Sequence, residues 1–296
     1  MGKTAFILIA LLSAGAALGG ESKLPTELIE KLTGLKGKLN EKENVYKVTS
    51  PRTDVPTVVD QWTMPPFMGL TSWAAFTPAK MGAVMVMGDL VLFEDEVNPA
   101  MSAALNSGLQ VTALHNHFFF DQPRVFFMHI AGDGKTENLA KGVHAALDAV
   151  RQVRAANPAP ARGFGRAMPD KNSIAPEPLQ KALAVAGETK GGMFKAVFGR
   201  KVKMLCGCEA GSEMGVNTWA AFAGTDSDAL VDGDFAVLEE ELQLVLKSLR
   251  RSGINIVAIH QHMTGEQPRL LFLHYWGRGP AEDLAKAVKA AVSLQK

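Results

Sequence analysis

Residues 113–132 read ALHNHFFFDQPRVFFMHIAG, and residues 258–277 read AIHQHMTGEQPRLLFLHYWG. The second stretch repeats the first at an offset of 145 positions. Each holds His-x-His, an acidic residue four positions on, then Gln-Pro-Arg and a third His. His115, His117, Asp121 and His129 thus correspond to His260, His262, Glu266 and His274. Of the seven histidines in the 296-residue chain, six sit in these clusters; His144 is the other. Most residues between them have drifted while the His and acidic positions stay in step.

The repetition extends outward. Trp73-Ala74-Ala75-Phe76 returns as Trp219-Ala220-Ala221-Phe222, Gly88-Asp89 as Gly233-Asp234, and Glu94 and Glu96 as Glu239 and Glu241. Residues 24–31 and 178–184 read as matching short helices. The repeats span 24–155 and 178–296, and the Ala/Pro/Gly-rich stretch 156–177 between them is a linker. A period of this size points to a duplicated domain rather than a solenoid. Periodicity predicts strands at 72–77 and 83–93, then a helix at 94–107 that stops at Gly108. Strands at 109–119 and 124–130 and an amphipathic helix at 136–153 follow. The expected unit is β-β-α-β-β-α, an α+β fold with mostly antiparallel sheets covered by helices, duplicated as a pseudo-symmetric pair.

This spacing makes chemistry possible. Alternation along a strand sends His115 and His117 to one face. A hairpin centred on Pro123 would set His117 opposite His129, with His115 beside them; around Pro268, His262 would face His274, with His260 beside them. Three imidazoles with a carboxylate suit a divalent transition metal, Zn²⁺ first, with Fe, Mn or Cu as alternatives. Asp121 and Glu266 would supply a fourth ligand or hydrogen-bond a ligating imidazole. Two copies of a metal-free hydrogen-bonded network are the competing reading. Clustered imidazoles fit that reading less well, because protonation would bring like charges together.

Other repeated residues carry alternatives. Arg124 and Arg269 would clamp a small anionic ligand or pair with Asp121 and Glu266. Glu94 and Glu239, the catalytic candidates, would compensate helix N-terminal charge or act as general bases. Trp73, Trp219 and the Met81, Met85, Met87 series read as packing. Cys206 and Cys208 are two positions apart, where a disulfide is expected to be strained.

The N-terminus, MGKTAFILIALLSAGAALGGES, has the layout of a signal peptide cut near residue 19. The mature protein is then periplasmic or secreted, without a stable membrane anchor after cleavage. A net charge of +1 suggests no nucleic-acid partner. Gly163-Phe164-Gly165 falls in the linker, outside any strand-turn-helix setting for a nucleotide.

On the Gly-Asp-x4-Glu segment, ALHNH…PRVFFMH, AIHQH…PRLLFLHYWG and NTWAAFAG, the chain resembles a bacterial family of unknown function grouped with the mycobacterial LppY/LpqO lipoproteins. The likeness covers nearly the whole mature chain. It implies an exported protein with duplicated domains and supplies no activity; the Cys for lipid attachment is lacking. His260-x-His262-x3-Glu266 is also similar to the first metal motif of cupins, but the third His comes too early and helices interrupt each copy. Three functions stand open: metal binding; a metal-dependent hydrolytic or oxidative enzyme on a small envelope or carbohydrate-related substrate; and a metal-free module for an anionic small molecule.

Overall fold

The computed structural model describes residues 24–163, 165, 167 and 169–296; the leader read at 1–19 lies outside them. Repeat 1 runs α1 (Thr26–Thr33), β1 (Gly37–Asn40), β2 (Val45–Pro51), β3 (Thr71–Pro78), β4 (Val84–Phe93), α2 (Glu94–Asn106), β5 (Gln110–His115), β6 (Val125–Gly134) and α3 (Thr136–Ala156). Repeat 2 runs α4 (Pro176–Leu183), β7 (Gly187–Lys190), β8 (Met193–Gly199), β9 (Asn217–Thr225), β10 (Asp228–Leu238), α5 (Leu242–Arg251), β11 (Asn255–His260), β12 (Leu270–Gly279) and α6 (Ala281–Val292). Each unit thus departs from the expected β-β-α-β-β-α by a leading helix and hairpin and by further short strands, while the mixed, mostly antiparallel and duplicated character holds.

These twelve strands form one antiparallel sheet in the order β1-β2-β3-β4-β6-β5-β11-β12-β10-β9-β8-β7, and two small sheets lie apart from it, Val58–Val59 between Trp62–Thr63 and Asp121–Gln122, and Val202–Lys203 with Glu209–Ala210. The two units thus share a single sheet. Among the described residues, the strand pair across the junction is Leu114 and Ile259, which are each other's counterparts in the duplication. The helices lie on one face. Val97, Met101, Ala104 and Leu105 of α2 and Leu139, Val143, Leu147 and Val150 of α3 bury there against Val86, Leu90 and Ile130. Burial of each such large aliphatic side chain contributes about 1.5–3 kcal/mol. The predicted helix stop is present: Gly108 takes a φ of +87°, closed to most side chains.

The junction is completed by side chains. The Asn98 amide accepts from Ile256 N–H (2.8 Å) and donates to Ile256 C=O (3.2 Å). Its counterpart Gln243 does the same to Val111, at 3.0 and 2.9 Å. Each repeat's helix thus satisfies a backbone that lacks a strand partner in the other repeat.

Buried ion pairs fasten the helix starts. Glu96 is fully buried, binds both Nη atoms of Arg52 (2.6 and 2.9 Å) and accepts from Phe93 N–H (2.8 Å). Glu241 binds Arg200 and accepts from Leu238 N–H in the same way. The repetition of Glu96 as Glu241 is thereby explained as structural.

Asn98→Ala or Gln243→Ala leaves a backbone N–H and C=O of the opposite repeat unpaired. Each is expected to cost about 1–3 kcal/mol, read as a lower urea midpoint. An unchanged midpoint would show that water replaces the amide freely.

Candidate metal centres

The face opposite the helices carries the histidines, and a β-bulge puts them there. In β5, Val111 pairs with Ile130 and Ala113 with His129, leaving Thr112 as the extra residue. Val111 and Leu114, three apart, both bury beneath the helices, and His115 is turned outward. β11 repeats this with Val257 as the extra residue, Ile256 and Ile259 buried and His260 outward. Re-aiming a side chain is a recognised use of such a bulge.

The hairpin register differs from the expected one. His115 lies opposite Phe127, and His129 lies opposite Ala113 on one side and Asp89 on the other. In repeat 2, His260 faces Phe272, and His274 stands between Ala258 and Asp234. His117 and His262 lie beyond the strands, which end at His115 and His260. Each returns to the cluster by stacking on a buried phenylalanine: His117 on Phe127 with ring centres 3.4 Å apart, His262 on Phe272 at 3.5 Å. The loop that carries each is pinned by a short hairpin, Val58–Val59 pairing with Asp121–Gln122 and Lys203 with Gln267.

The three histidines of each copy do meet. His115 stacks on His129 at 5.2 Å and His260 on His274 at 4.7 Å. Nε2 of His115 is 3.2 Å from Nε2 of His117; His260 and His262 approach to 3.1 Å. In repeat 2, His262 Nε2 is also 3.3 Å from Asp234 Oδ2. Donor atoms of Asp234, His260 and His274 lie within 4.8 Å of one another, the one such group among the described residues. Ligands about 2.0–2.1 Å from a tetrahedral Zn²⁺ are about 3.3 Å apart, which matches the closest of these spacings.

The carboxylate paired opposite the third histidine of each cluster is that of Asp89 or Asp234, while the acidic residue of the turn serves the turn itself. Asp121 Oδ2 accepts from Val125 N–H (2.6 Å), and Glu266 Oε1 from Leu270 N–H (3.1 Å), so both brace the turn. Asp89 and Asp234 were visible as the repeated Gly-Asp; only the register brings them beside His129 and His274. Gly88 and Gly233 beside them are required by packing, since a Cβ would come 2.7 and 2.3 Å from the Trp73 and Trp219 carbonyl oxygens.

Burial governs the electrostatics of these groups. Burial pushes the Asp89 and Asp234 carboxyls up, against the pull of the neighbouring histidines. Burial, aided by adjacent imidazoles, lowers His115 and brings His260 down to about 4. Burial also lowers His117, with His129 acting the same way and Asp89 opposing. Neutral imidazole is the form that ligates. Asp89 Oδ1, Asp234 Oδ1 and His260 Nδ1 are buried without a hydrogen-bond partner.

The remaining expected residues fall outside the clusters. Arg124 and Arg269 are exposed and form no ion pair with Asp121 or Glu266. Glu94 and Glu239 are exposed at the approaches to α2 and α5. Trp73 and Trp219 are half-buried on the open face, where Lys47 and Lys195 lie 4.1 and 4.4 Å from their ring centres. Met81, Met85 and Met87 are exposed rather than packed. Cys206 and Cys208 do form a disulfide, because a tight hairpin tip brings their Cα atoms to 5.4 Å, inside the bridging window.

Two stretches, residues 27–149 and 177–294, each match the profile described as Domain of Unknown Function (DUF1259). The chain belongs to this family. Two matched segments make each repeat one copy of the DUF1259 domain. No curated protein matches the chain. Among solved structures it is similar to a trimeric bacterial microcompartment shell protein, PduB, at 11% identity over 87% of this chain and 89% of that one. The TM-score of that pairing is 0.20, too low to carry any argument about fold or function.

A pH dependence follows for the DUF1259 chain in the absence of metal. His260 ordinarily titrates near 6.5 and is held here at about 4. Between those values the unfolded chain takes up a proton that the folded chain refuses, so stability falls as pH drops through that window. The raised Asp234 carboxyl works in the opposite direction at the acid end. Thermal unfolding in chelator at pH 7, 5.5 and 4.5 should show the fall, and His260→Gln should flatten it. An identical slope in the variant would contradict the burial of this imidazole.

Proposed function

We propose that the protein binds a divalent transition metal at two duplicated centres, through His115, His117, His129 and Asp89 in repeat 1 and His260, His262, His274 and Asp234 in repeat 2. The observation that carries this reading is the approach of donors to 3.1–3.3 Å in repeat 2, the edge length of a tetrahedral ligand set. Zn²⁺ suits three imidazoles and a carboxylate best; Fe, Mn and Cu accept the same atoms. Phe127 and Phe272 form the floor under the loop histidines, and the helix-covered core lies on the other side of the sheet. That leaves each ion open on the solvent side.

A second reading, metal-dependent catalysis, is favoured at repeat 2 alone, where His274 forms part of the wall of a cavity that also includes Glu94. An ion there would lower the pKa of a bound water, and Glu94 and Asp232, both in the cavity wall, would be the candidate bases. We further read the protein as exported, on its signal-like N-terminus. Its grouping with the LppY/LpqO proteins rests on the shared HxH…PR…H blocks. No helix among the described residues is long and apolar enough to cross a membrane.

Elemental analysis of untagged, chelator-free protein tests the first reading. One or two equivalents of a transition metal are expected, with both lost in the His117→Ala/His262→Ala double variant. Asp234→Asn should weaken repeat 2 by about tenfold or more and spare repeat 1. Protein that carries no metal, and takes up none from added Zn²⁺, Mn²⁺, Fe²⁺ or Cu²⁺, sinks the proposal.

A further inference from the structure

The two centres have diverged in the row of side chains beside them. On the open face of repeat 2, Lys195, Ala221, Asp232, Trp276 and Asn255 stand opposite one another across β8, β9, β10, β12 and β11. The next row on that face holds Trp219, Asp234 and His274, about 7 Å along the strands. In repeat 1 the matching row is Lys47, Ala75, Met87, Ala131 and Gln110. Where repeat 1 has a thioether and a methyl group, repeat 2 has a carboxylate and an indole. A scaffold kept for metal alone gives no reason for that difference.

Beside this row opens a cavity of about 730 Å³, walled by Trp276, Asp232 and His274 of repeat 2 and by Phe126, Val97 and Glu94 of repeat 1. The volume lies in the range that holds a small organic ligand. The linker closes one side: Ala161 N–H donates to Asp95 Oδ2 at 2.9 Å, and Gly163 also reaches the cavity. Asp95 itself, paired with Arg154, keeps its Oδ1 buried without a hydrogen-bond partner.

We propose that this cavity binds a neutral saccharide of one or two rings, laid on Trp276 and held at its edge by Asp232 and Asn255. An indole face takes the apolar C–H face of a pyranose, while a hydroxyl both donates and accepts. Asp232 and Glu94 accept. Asn255 has its Oδ1 engaged by Arg250 at 2.9 Å, which leaves its amide N–H groups to donate. Charge argues for neutrality: Lys195 beside Asp232 and Arg162 in the wall oppose a cation, and the carboxylates oppose an anion. The assignment rests on the metal reading only for what a bound sugar would meet at His274; the platform is independent of it.

Calorimetric titration with cellobiose, maltose and N,N′-diacetylchitobiose, on metal-loaded and on chelator-treated protein, tests this. At least one disaccharide should bind saturably. Trp276→Ala and Asp232→Ala should each weaken binding by about tenfold or more, with metal content unchanged, and Trp276→Phe should restore part of it. Met87→Ala, in the matching row of repeat 1, should change nothing. No saturable heat with any of the three, binding that survives Trp276→Ala in folded protein, or preferential binding of benzyltrimethylammonium would each overturn the proposal. Sugar binding by protein that takes up no metal would leave the platform standing and remove the metal reading; metal uptake without sugar binding would do the reverse.

Discussion

One additional residue in each of two central strands organises this protein. Thr112 and Val257 are the unpaired positions of the bulges in β5 and β11. Without them, alternation would send His115 and His260 into the helix-covered core alongside Val111 and Ile256. With them, the core keeps Val111 and Leu114, or Ile256 and Ile259, and the imidazoles face outward beside Asp89 and Asp234. At the junction, strand pairing among the described residues is limited to Leu114 and Ile259, and the backbone of Val111 and Ile256 is completed by Gln243 and Asn98. The outward turn of the imidazoles thus depends on one local irregularity in each repeat.

Each centre is layered. A buried phenylalanine supports the loop histidine, the strand histidines stack beside it, and a mostly buried aspartate closes the inner edge. Burial disfavours charge on aspartate and imidazole alike; a cation would offset the charge of the aspartate and take the imidazoles in the neutral form that burial already favours. Glu96 and Glu241, by contrast, have their countercharge built in as Arg52 and Arg200. The buried acids of each repeat thus differ: Glu96 and Glu241 have a guanidinium as countercharge, whereas Asp89 and Asp234 each keep an Oδ1 without a hydrogen-bond partner.

The duplication, the mixed fold with mostly antiparallel strands and the grouping of three histidines in each copy were legible because each leaves a periodic or repeated trace. The register was not, since the turn chemistry of Asp121-Gln122-Pro123 puts the hairpin centre at Pro123, whereas the strand pairs His115–Phe127 and Ala113–His129 put it at Asp121. The bulge decides something else, the face to which His115 turns, and its trace is only the three-residue spacing of Val111 and Leu114 and of Ile256 and Ile259. Asp89 was in view as a repeated Gly-Asp but lies 40 positions before His129, and only strand pairing joins them. Asp121 drew attention through its nearness in sequence, yet its carboxylate is occupied by the Val125 amide. The single shared sheet was hidden for a similar reason: one residue pair and two amide side chains leave no pattern to read.

The order of strands also decides where growth of the sheet stops. In either repeat taken alone, the bulged histidine strand would be an outer edge, with open backbone groups on its free side. Duplication turns these two edges toward each other and consumes them. What is left at the far ends are the four-residue strands Gly37–Asn40 and Gly187–Lys190, short, largely exposed and bearing Lys38, Glu188 and Lys190. Short, charged borders of this kind are poor templates for a further chain. Tandem duplication has thereby given the protein a closed stock of hydrogen bonds along its length, and cutting the linker and separating the halves would expose the stickiest strands it has.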